Sequence, residues 1–336
     1  MKNIVVSDSF HQSDLKPAVL VKEYMELLCE DIGHYFVKAG GLKETLCPAC
    51  QCPQSNEVFN RFSLFYRLCA SCGTLFISSR PSDEALHAYY QESASCRFWR
   101  DKVLPVTQAK RDQKIIHPRV DWILDSVSEY LPQATTWVDV NTSQPQFLEA
   151  MAQTAVFTRK FVLNPHFEAR SASGSLDILP VPWWKTAPGL TADVVTLFEV
   201  LDQTSDVAGL VATVRGMLNK GGLCFLTAIL ASGFDVKELG PFARNIYPPD
   251  RLNVFSVKGL KILMEANGFE CLELSTPGIL DVEIVAESIK ADPLIPVSSF
   301  TRDLVLSADE GVRRAFQEFL QANLLSSYGR ILVRKI

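Results

Sequence analysis

Four cysteines carry the most specific chemical spacing in the chain. Cys47-Pro-Ala-Cys50 and Cys69-Ala-Ser-Cys72 are two Cys-x-x-Cys turns separated by eighteen residues. Each turn directs two thiolates at one point, and two such knuckles complete a tetrahedral four-sulfur shell for Zn2+. Gly73 follows the second pair, where a knuckle needs a tight turn, and NEVFNRFSLFYRL between the pairs has the pattern of a short β-hairpin. A redox dithiol is the competing reading, but two matched pairs at this spacing favour a metal. A closed four-cysteine shell has no open position for water or substrate, so the expected ion is structural. Cys52 is expected to be a bystander. The nine cysteines are odd in number and locally crowded, unlike a secreted disulfide framework.

A second stretch, residues 135–151 (TTWVDVNTSQPQFLEAM), runs from an apolar strand through an acid and a polar turn into a helix. That is the outline of a nucleotide-binding turn, where glycines normally let the backbone approach the ligand. No glycine is present. Asn141 tolerates left-handed backbone, Thr142 or Ser143 is suited to cap a helix, and Pro145 suits the first helical position. Access is what changes: the side chains of Asn141, Ser143 and Gln144 are expected to project where ligand should meet backbone, and Pro145 offers no N–H.

Other chemistry is weaker. There is no Ser-His-Asp set, phosphate-cradling G-x-x-x-x-G-K-[ST] loop or H-E-x-x-H helix. His11, His34, His87, His117 and His166 are scattered, each a surface or capping residue before it is a catalyst. Glu199 at a strand end is balanced between lining a pocket and joining a surface ion pair. Trp183-Trp184 suits a carbohydrate-stacking platform or, more commonly, packing beneath a sheet. The basic run Arg97–Lys114 suits phosphate or nucleotide-sugar binding, with a solvated helix face the favoured alternative.

The elements that must position these groups follow from periodicity. Residues 14–39 have helical spacing, with Val21, Tyr24, Met25, Leu28, Ile32 and Phe36 on one side, and Gly40-Gly41 ends the helix. Pro81-Ser82-Asp83-Glu84 starts another helix, the basic run is a polar connection, and a further helix leads toward Tyr130. From Thr136 onward strands alternate with helices. Strands are expected at 137–140, 160–163, 194–199, 223–229 and 270–275, and helices at 146–153, 206–218 and 257–266. Such alternation indicates a doubly wound, parallel α/β sheet. Late in the chain, 290–299 is expected as a proline-interrupted loop, 311–322 as a helix and 330–333 as a last strand.

The 336 residues suffice for one large α/β domain plus small appendages, and 47% hydrophobic with 21% charged residues is an ordinary globular balance. A formal net charge of −5 gives no global basic field for nucleic acid. The first twenty residues lack the pattern of a secretory signal, and no apolar run suffices for a membrane helix, so a cytoplasmic location without membrane partner is expected.

Three stretches together resemble the class I S-adenosylmethionine-dependent methyltransferases, in particular a bacterial subset with an N-terminal zinc ribbon associated with sugar and surface-polysaccharide modification. They are CPAC...CASCGTLFISSRPSDEALHAYY, ADVVTLFEVLDQTSDVAGLVATVRGMLNKGGLCFLT and YPPDRLNVFSVKGLKILMEANGFECLELSTPG. The resemblance implies a mostly parallel seven-stranded Rossmann-like sheet with an antiparallel final strand, supplied by 330–333. It also implies an organisation of an N-terminal helical segment (1–43), zinc ribbon (44–80), connecting helices (81–130) and methyltransferase-like domain (131–336) with an insertion at about 277–327. For the S-adenosylmethionine site it points to Asp139, Asn141, Ser143 and Glu199, with Asn164 at the ribose-binding position and Asp177 at an adenine-contacting one. The glycine positions of the family's G-x-G-x-G turn hold Asn141, Ser143 and Pro145, and Asn164 replaces the usual acid. Where the family shows Glu-His pairs, this chain has Asp202-Gln203 and Asp250-Arg251. Glu199, Asp202 and Asp250 are then the nearby bases for methyl transfer to a sugar or nucleotide-sugar acceptor. Three functions remain open: a methyltransferase-like protein with impaired or altered cofactor binding, an inactive pseudo-methyltransferase that acts as a scaffold for a protein partner, and a sheet-end pocket for another nucleotide-like ligand.

Overall fold

The computed structural model describes residues 11–141, 144–164, 176–182 and 189–336. The N-terminal segment is helical at Gln12–Leu15 and Ala18–Ile32 and widens into a π-type turn over Gly33–Lys38. The single helix expected over 14–39 is thus interrupted. Pro17 lacks an N–H donor and disfavours helical backbone in the residue before it, and Lys16 adopts φ −137° and ψ 77°. Tyr24, Leu28, Ile32 and Phe36 are buried, as the spacing requires, and Gly40 and Gly41 at φ 69° and 80° end the segment.

β1 (Lys43–Glu44) pairs antiparallel with β5 (Ser79–Arg80). Between them β2 (Ser55–Arg61), β3 (Leu64–Cys69) and β4 (Leu75–Ile77) form an antiparallel meander. The β2–β3 turn has positive φ at Phe62 and Ser63, and Asn60 Oδ1 accepts from the Ser63 N–H at 3.1 Å, which holds that turn closed. Helices Asp83–Glu92, Ala94–Phe98, Leu104–Arg111 and His117–Tyr130 follow, the last three joined by π-type turns at Trp99–Val103 and Asp112–Ile116. Ser82 caps the first by accepting from Ala85 N–H at 3.2 Å. The basic run is helical, in line with the helix face favoured for it, and helical spacing decides which of its charges turn inward.

The central sheet comprises β6 (Thr136–Val140), β7 (Arg159–Leu163), β8 (Asp177–Leu179), β9 (Ala192–Phe198), β10 (Leu218–Ile229), β12 (Phe269–Ser275) and β13 (Tyr328–Lys335). β11 (Asn253–Val254) lies outside it. The order is β12-β13-β10-β9-β6-β7-β8, with β13 antiparallel to both neighbours and β6 to β10 parallel. The seven strands and the antiparallel last strand agree with the sequence expectation. β10 begins earlier than expected because Leu218 already pairs with Ala192, before a bulge that resumes at Leu223 and contains Gly221 at φ 78°. β6 reads TWVDV and is buried throughout, as a strand covered on both faces must be. The strand order reverses between β6 and β9, so the crevice beyond their C-terminal ends is the topological switch point of the sheet.

The cysteine-bearing meander is joined to this sheet rather than set apart from it. β11 adds antiparallel to β4. Cys47, Cys69, Cys72 and Phe76 share one hydrophobic core with Val138, Leu197 and Leu226 of the central strands. In the 277–327 region, helices Asp281–Ala291, Ser299–Leu306 and Glu310–Ala322 precede β13, and the loop expected at 290–299 is shortened to the residues between the first two. Asp281 ties them down: its carboxylate accepts from Ser326 Oγ and Ser327 N–H, each at 2.6 Å, and from Gln317 Nε2 at 2.8 Å. No helix among the described residues is long and apolar enough to cross a membrane.

Candidate functional site

The first site is the four-sulfur cluster. The Sγ atoms of Cys47, Cys50, Cys69 and Cys72 all lie within 4.8 Å of one another, with Cys47–Cys72 at 3.6 Å and Cys50–Cys69 at 3.5 Å. A tetrahedral thiolate shell with metal–sulfur bonds of about 2.3 Å requires sulfur–sulfur separations of about 3.8 Å. The donor set therefore fits a metal ion. Cys52 is outside the cluster and points its thiol to the Gln54 side chain at 3.1 Å. The knuckles also grip the rest of the chain. Ser256 Oγ donates to the Cys72 carbonyl, and Lys258 Nζ donates to the Ser71 carbonyl at 2.7 Å, so helix Val257–Ala266 starts on the second knuckle.

The second site is the switch point. Asn141 leaves β6 with φ 60°, the left-handed geometry its side chain tolerates, and its N–H donates to the Leu163 carbonyl at 2.8 Å. Pro145 opens helix Pro145–Gln153 at its first position, as expected. The N-cap is Gln144, which makes no side-chain capping bond; Thr142 and Ser143 lie outside the described residues, as do His166 and Trp183-Trp184. Gln144 faces inward instead: its Oε1 accepts from Arg119 Nη1 at 3.2 Å.

Arg119 organises this end of the sheet. It is 2% exposed, and besides Gln144 it donates through Nη2 to Glu199 Oε1 at 2.8 Å and through Nε to Tyr328 Oη at 3.2 Å. Its guanidinium lies 5.0 Å from the Phe198 ring centroid. Glu199 follows β9 in left-handed backbone at φ 63°, a conformation with a cost for any residue that has a Cβ. Its other oxygen accepts from Arg251 Nη2 at 3.1 Å. Arg251 also reaches Asp202 Oδ2 at 3.6 Å and the Asp250 carbonyl at 2.8 Å. The backbone of Arg251 is held by the meander, since Tyr66 Oη donates to its carbonyl at 2.6 Å.

The electrostatics separate the three carboxyls expected to act as bases. Burial pushes the Glu199 carboxyl up, but Arg119 and Arg251 outweigh it and hold the group down at about 2. That carboxylate is a structural anion and a poor proton acceptor. Burial pushes Asp202 up to about 8 against the pull of Arg251. Asp202 is fully buried, its Oδ2 accepts from the Ile229 N–H at 3.0 Å, and it has no path to an incoming acceptor. Asp250 is partly exposed, is raised by burial against the pull of Arg251 and Lys16, and accepts from Tyr90 Oη at 3.3 Å. Of the three, Asp250 has the combination of access and raised basicity that proton abstraction needs.

The remaining candidates are dispersed. Asp139 is fully buried within the sheet, and its Oδ1 accepts from Thr196 Oγ1 at 2.6 Å. Asn164 is 4% exposed just beyond β7, and its N–H donates to the Leu179 carbonyl at 3.2 Å. Asp177 is exposed at the start of the edge strand β8, paired with Phe161 and away from the β6–β9 crevice. Arg119 is the residue that sequence reasoning missed. Its signal was present: Ile116, Arg119, Ile123 and Val127 fall on one helical stripe, so a cation occupies a core-facing position.

Residues 118–274 match a family model described as a methyltransferase domain. Compared with curated proteins, the chain has no match. Solved structures include the [4+2]-cyclase SpnF at 18% identity, with 64% of this chain and 80% of that chain covered and a TM-score of 0.41. The N-methyltransferase NodS from Bradyrhizobium japonicum WM9 shares 9% identity over 67% of this chain and 98% of that chain, with a TM-score of 0.38. A complex between the Haloferax volcanii Trm112 methyltransferase activator and a methyltransferase gives 15% identity, coverage of 67% and 93%, and a TM-score of 0.44. The segment that carries Arg119, Glu199 and Arg251 thus matches a methyltransferase-domain model, and it lies in a sheet with five parallel strands, a reversal between β6 and β9 and an antiparallel β13.

Proposed function

We propose that this chain is an S-adenosylmethionine-dependent methyltransferase-like protein of sugar or surface-polysaccharide modification, with altered cofactor binding and a structural Zn2+ in the four-cysteine cluster. The observation that carries the altered binding is the Arg119 clamp. In this fold the crevice beyond β6 and β9 receives the ligand, and Gln144 turns into it to meet Arg119, which is itself paired with Glu199. Glu199 is already paired at both oxygens, so its carboxylate is not free for a ligand ammonium or hydroxyl. A ligand carboxylate would have to replace Glu199 on Arg119, an exchange of one charge-assisted pair for another. When bound, S-adenosylmethionine would supply an electrophilic methyl group, and Asp250 would take the proton lost by a sugar hydroxyl or amine that accepts it.

The same clamp favours a second reading, a pseudo-methyltransferase that serves a protein partner from a closed crevice. Calorimetric titration of the zinc-loaded chain with S-adenosylmethionine and S-adenosylhomocysteine separates the two. Altered binding predicts weak affinity in the wild type, tightening by about tenfold, or 1.4 kcal/mol, when Gln144→Gly removes the inward side chain. Absence of binding in both proteins would overturn the enzyme reading and leave the scaffold. Micromolar binding by the wild type, unchanged in the variant, would overturn the role given to Gln144.

A further inference from the structure

Beside the crevice, two cations flank three aromatic rings. Lys16 Nζ lies 5.7 Å from the Tyr247 centroid, and Arg111 Cζ lies 5.7 Å from the Trp99 centroid. Between them Tyr24 meets Trp99 edge-on at 4.9 Å and Tyr247 at 6.3 Å. The backbone connects the two: Arg111 Nη2 donates to the Leu15 carbonyl and Nε to Thr107 Oγ1, both at 2.8 Å. This uses two of the guanidinium nitrogens. Among the described residues, neither Lys16 Nζ nor Arg111 Nη1 has a hydrogen-bond or ion-pair partner.

The charges around them do not balance. Lys16, Arg111, Arg119 and Arg251 stand against Glu199, Asp202 and Asp250. Glu199 is committed to two arginines, and Asp202 is sealed from solvent. Desolvation, with help from Arg251 and Arg111 and against Asp250 and Glu199, lowers Lys16 to about 8. Arg251 Nε, Asp202 Oδ1 and Thr227 Oγ1 are buried polar atoms without a hydrogen-bond partner at this end of the sheet. Half-buried cations over aromatic faces, with donors left over, favour a counter-charge.

We propose that these two cations and the rings between them form an oxyanion subsite, in which a phosphate or carboxylate group of a small-molecule ligand is held by Lys16 and the remaining donor of Arg111. An oxyanion supplies the missing charge and accepts from both donors at once. The aromatic rings then offer a face to the uncharged remainder of the ligand. This rests on the reading of the sheet end as a small-molecule site, and it narrows the acceptor there to an anionic sugar or sugar derivative. The basic run singled out in the sequence contributes here through Arg111 and the Trp99 ring.

The test uses the full zinc-loaded chain, with pyrophosphate, uridine diphosphate and glucuronate as probes and glucose as the neutral control, followed by calorimetry and thermal shift. At least one oxyanion probe is expected to bind and raise the melting temperature while glucose does neither. Lys16→Gln and Arg111→Gln are each expected to weaken that binding by about tenfold or more. Wild-type binding should weaken as pH rises through about 8, where Lys16 loses its proton, and Lys16→Arg should bind without that dependence. Binding of the phosphates alone or of glucuronate alone identifies the oxyanion, and either supports the subsite. No response to any probe at about 10 mM, or wild-type affinity in both glutamine variants, would overturn it. Oxyanion binding that persists where S-adenosylmethionine does not bind would sink the methyltransferase reading and leave this subsite standing.

Discussion

Glu199 shows how a side chain expected to do chemistry is diverted to structure. It ends the fourth parallel segment of the sheet in left-handed backbone and carries an arginine on each oxygen. Its folded pKa, about 2, lies below the ordinary value of 4.5. The stabilisation it provides is therefore fully present above pH about 4.5 and is lost as pH falls through about 2. A shift of this size corresponds to on the order of 3 kcal/mol. Glu199→Gln should lose roughly that much at neutral pH and show a flatter stability profile across the acid window, measured by urea unfolding at several pH values. A parallel acid limb in both proteins would show that the ion cluster contributes little. The sequence made Glu199 visible as a strand-end acid but could not show that Arg119 pairs with it. That pairing is set across eighty residues by helix orientation, and only the misplaced cation on an apolar stripe hinted at it.

At the level of elements, the four-cysteine meander is a brace for the site. β11 extends its sheet, Tyr66 holds the Arg251 carbonyl, and the Cys72 carbonyl of the second knuckle accepts from Ser256, the N-cap of helix Val257–Ala266. The Cys-x-x-Cys spacing made the cluster legible because the ligand geometry is local to two short turns. The docking of β11 was not legible, since a two-residue strand has no periodicity of its own. Gly259 marks the closest approach. A Cβ there would stand 2.3 Å from Thr74 Oγ1 and 3.2 Å from Ala49 Cβ. Thr74 Oγ1 has no easy retreat, because it lies 3.2 Å from Cys72 Sγ and 3.5 Å from Ser256 N. Gly259→Ala should cost about 1–3 kcal/mol through overpacking and lower the affinity of the cluster for its ion. Competition with a chromophoric chelator reads the second effect, and unchanged metal affinity would separate the helix start from the knuckle.

Across the whole molecule, the alternation of strands and helices from Thr136 correctly indicated a parallel sheet, because each strand is bounded by its own turn chemistry. The relation between the appendages and that sheet depends on long-range packing, which no local pattern encodes. The structure makes the meander and the central sheet one core: Cys47, Ala49, Cys69, Cys72 and Phe76 are buried together with Val138, Leu197, Leu226 and Phe269. Removing the cluster would expose apolar surface of the sheet as well as its own. Removing the sheet would leave β4 without β11 and helix Val257–Ala266 without its supports. Units that share a core and a strand unfold together, whereas units joined by a linker unfold separately. Urea titration of the metal-loaded chain should therefore give one transition, with loss of the near-ultraviolet signal of buried Trp122 and Trp137 coinciding with release of the ion to a chelator. Release of metal at clearly lower urea, with the tryptophan signal intact, would mean that the meander opens independently. Coincidence would mean that metal bound to the four-cysteine cluster stabilises the sheet that carries Glu199 as well as the meander that holds Arg251.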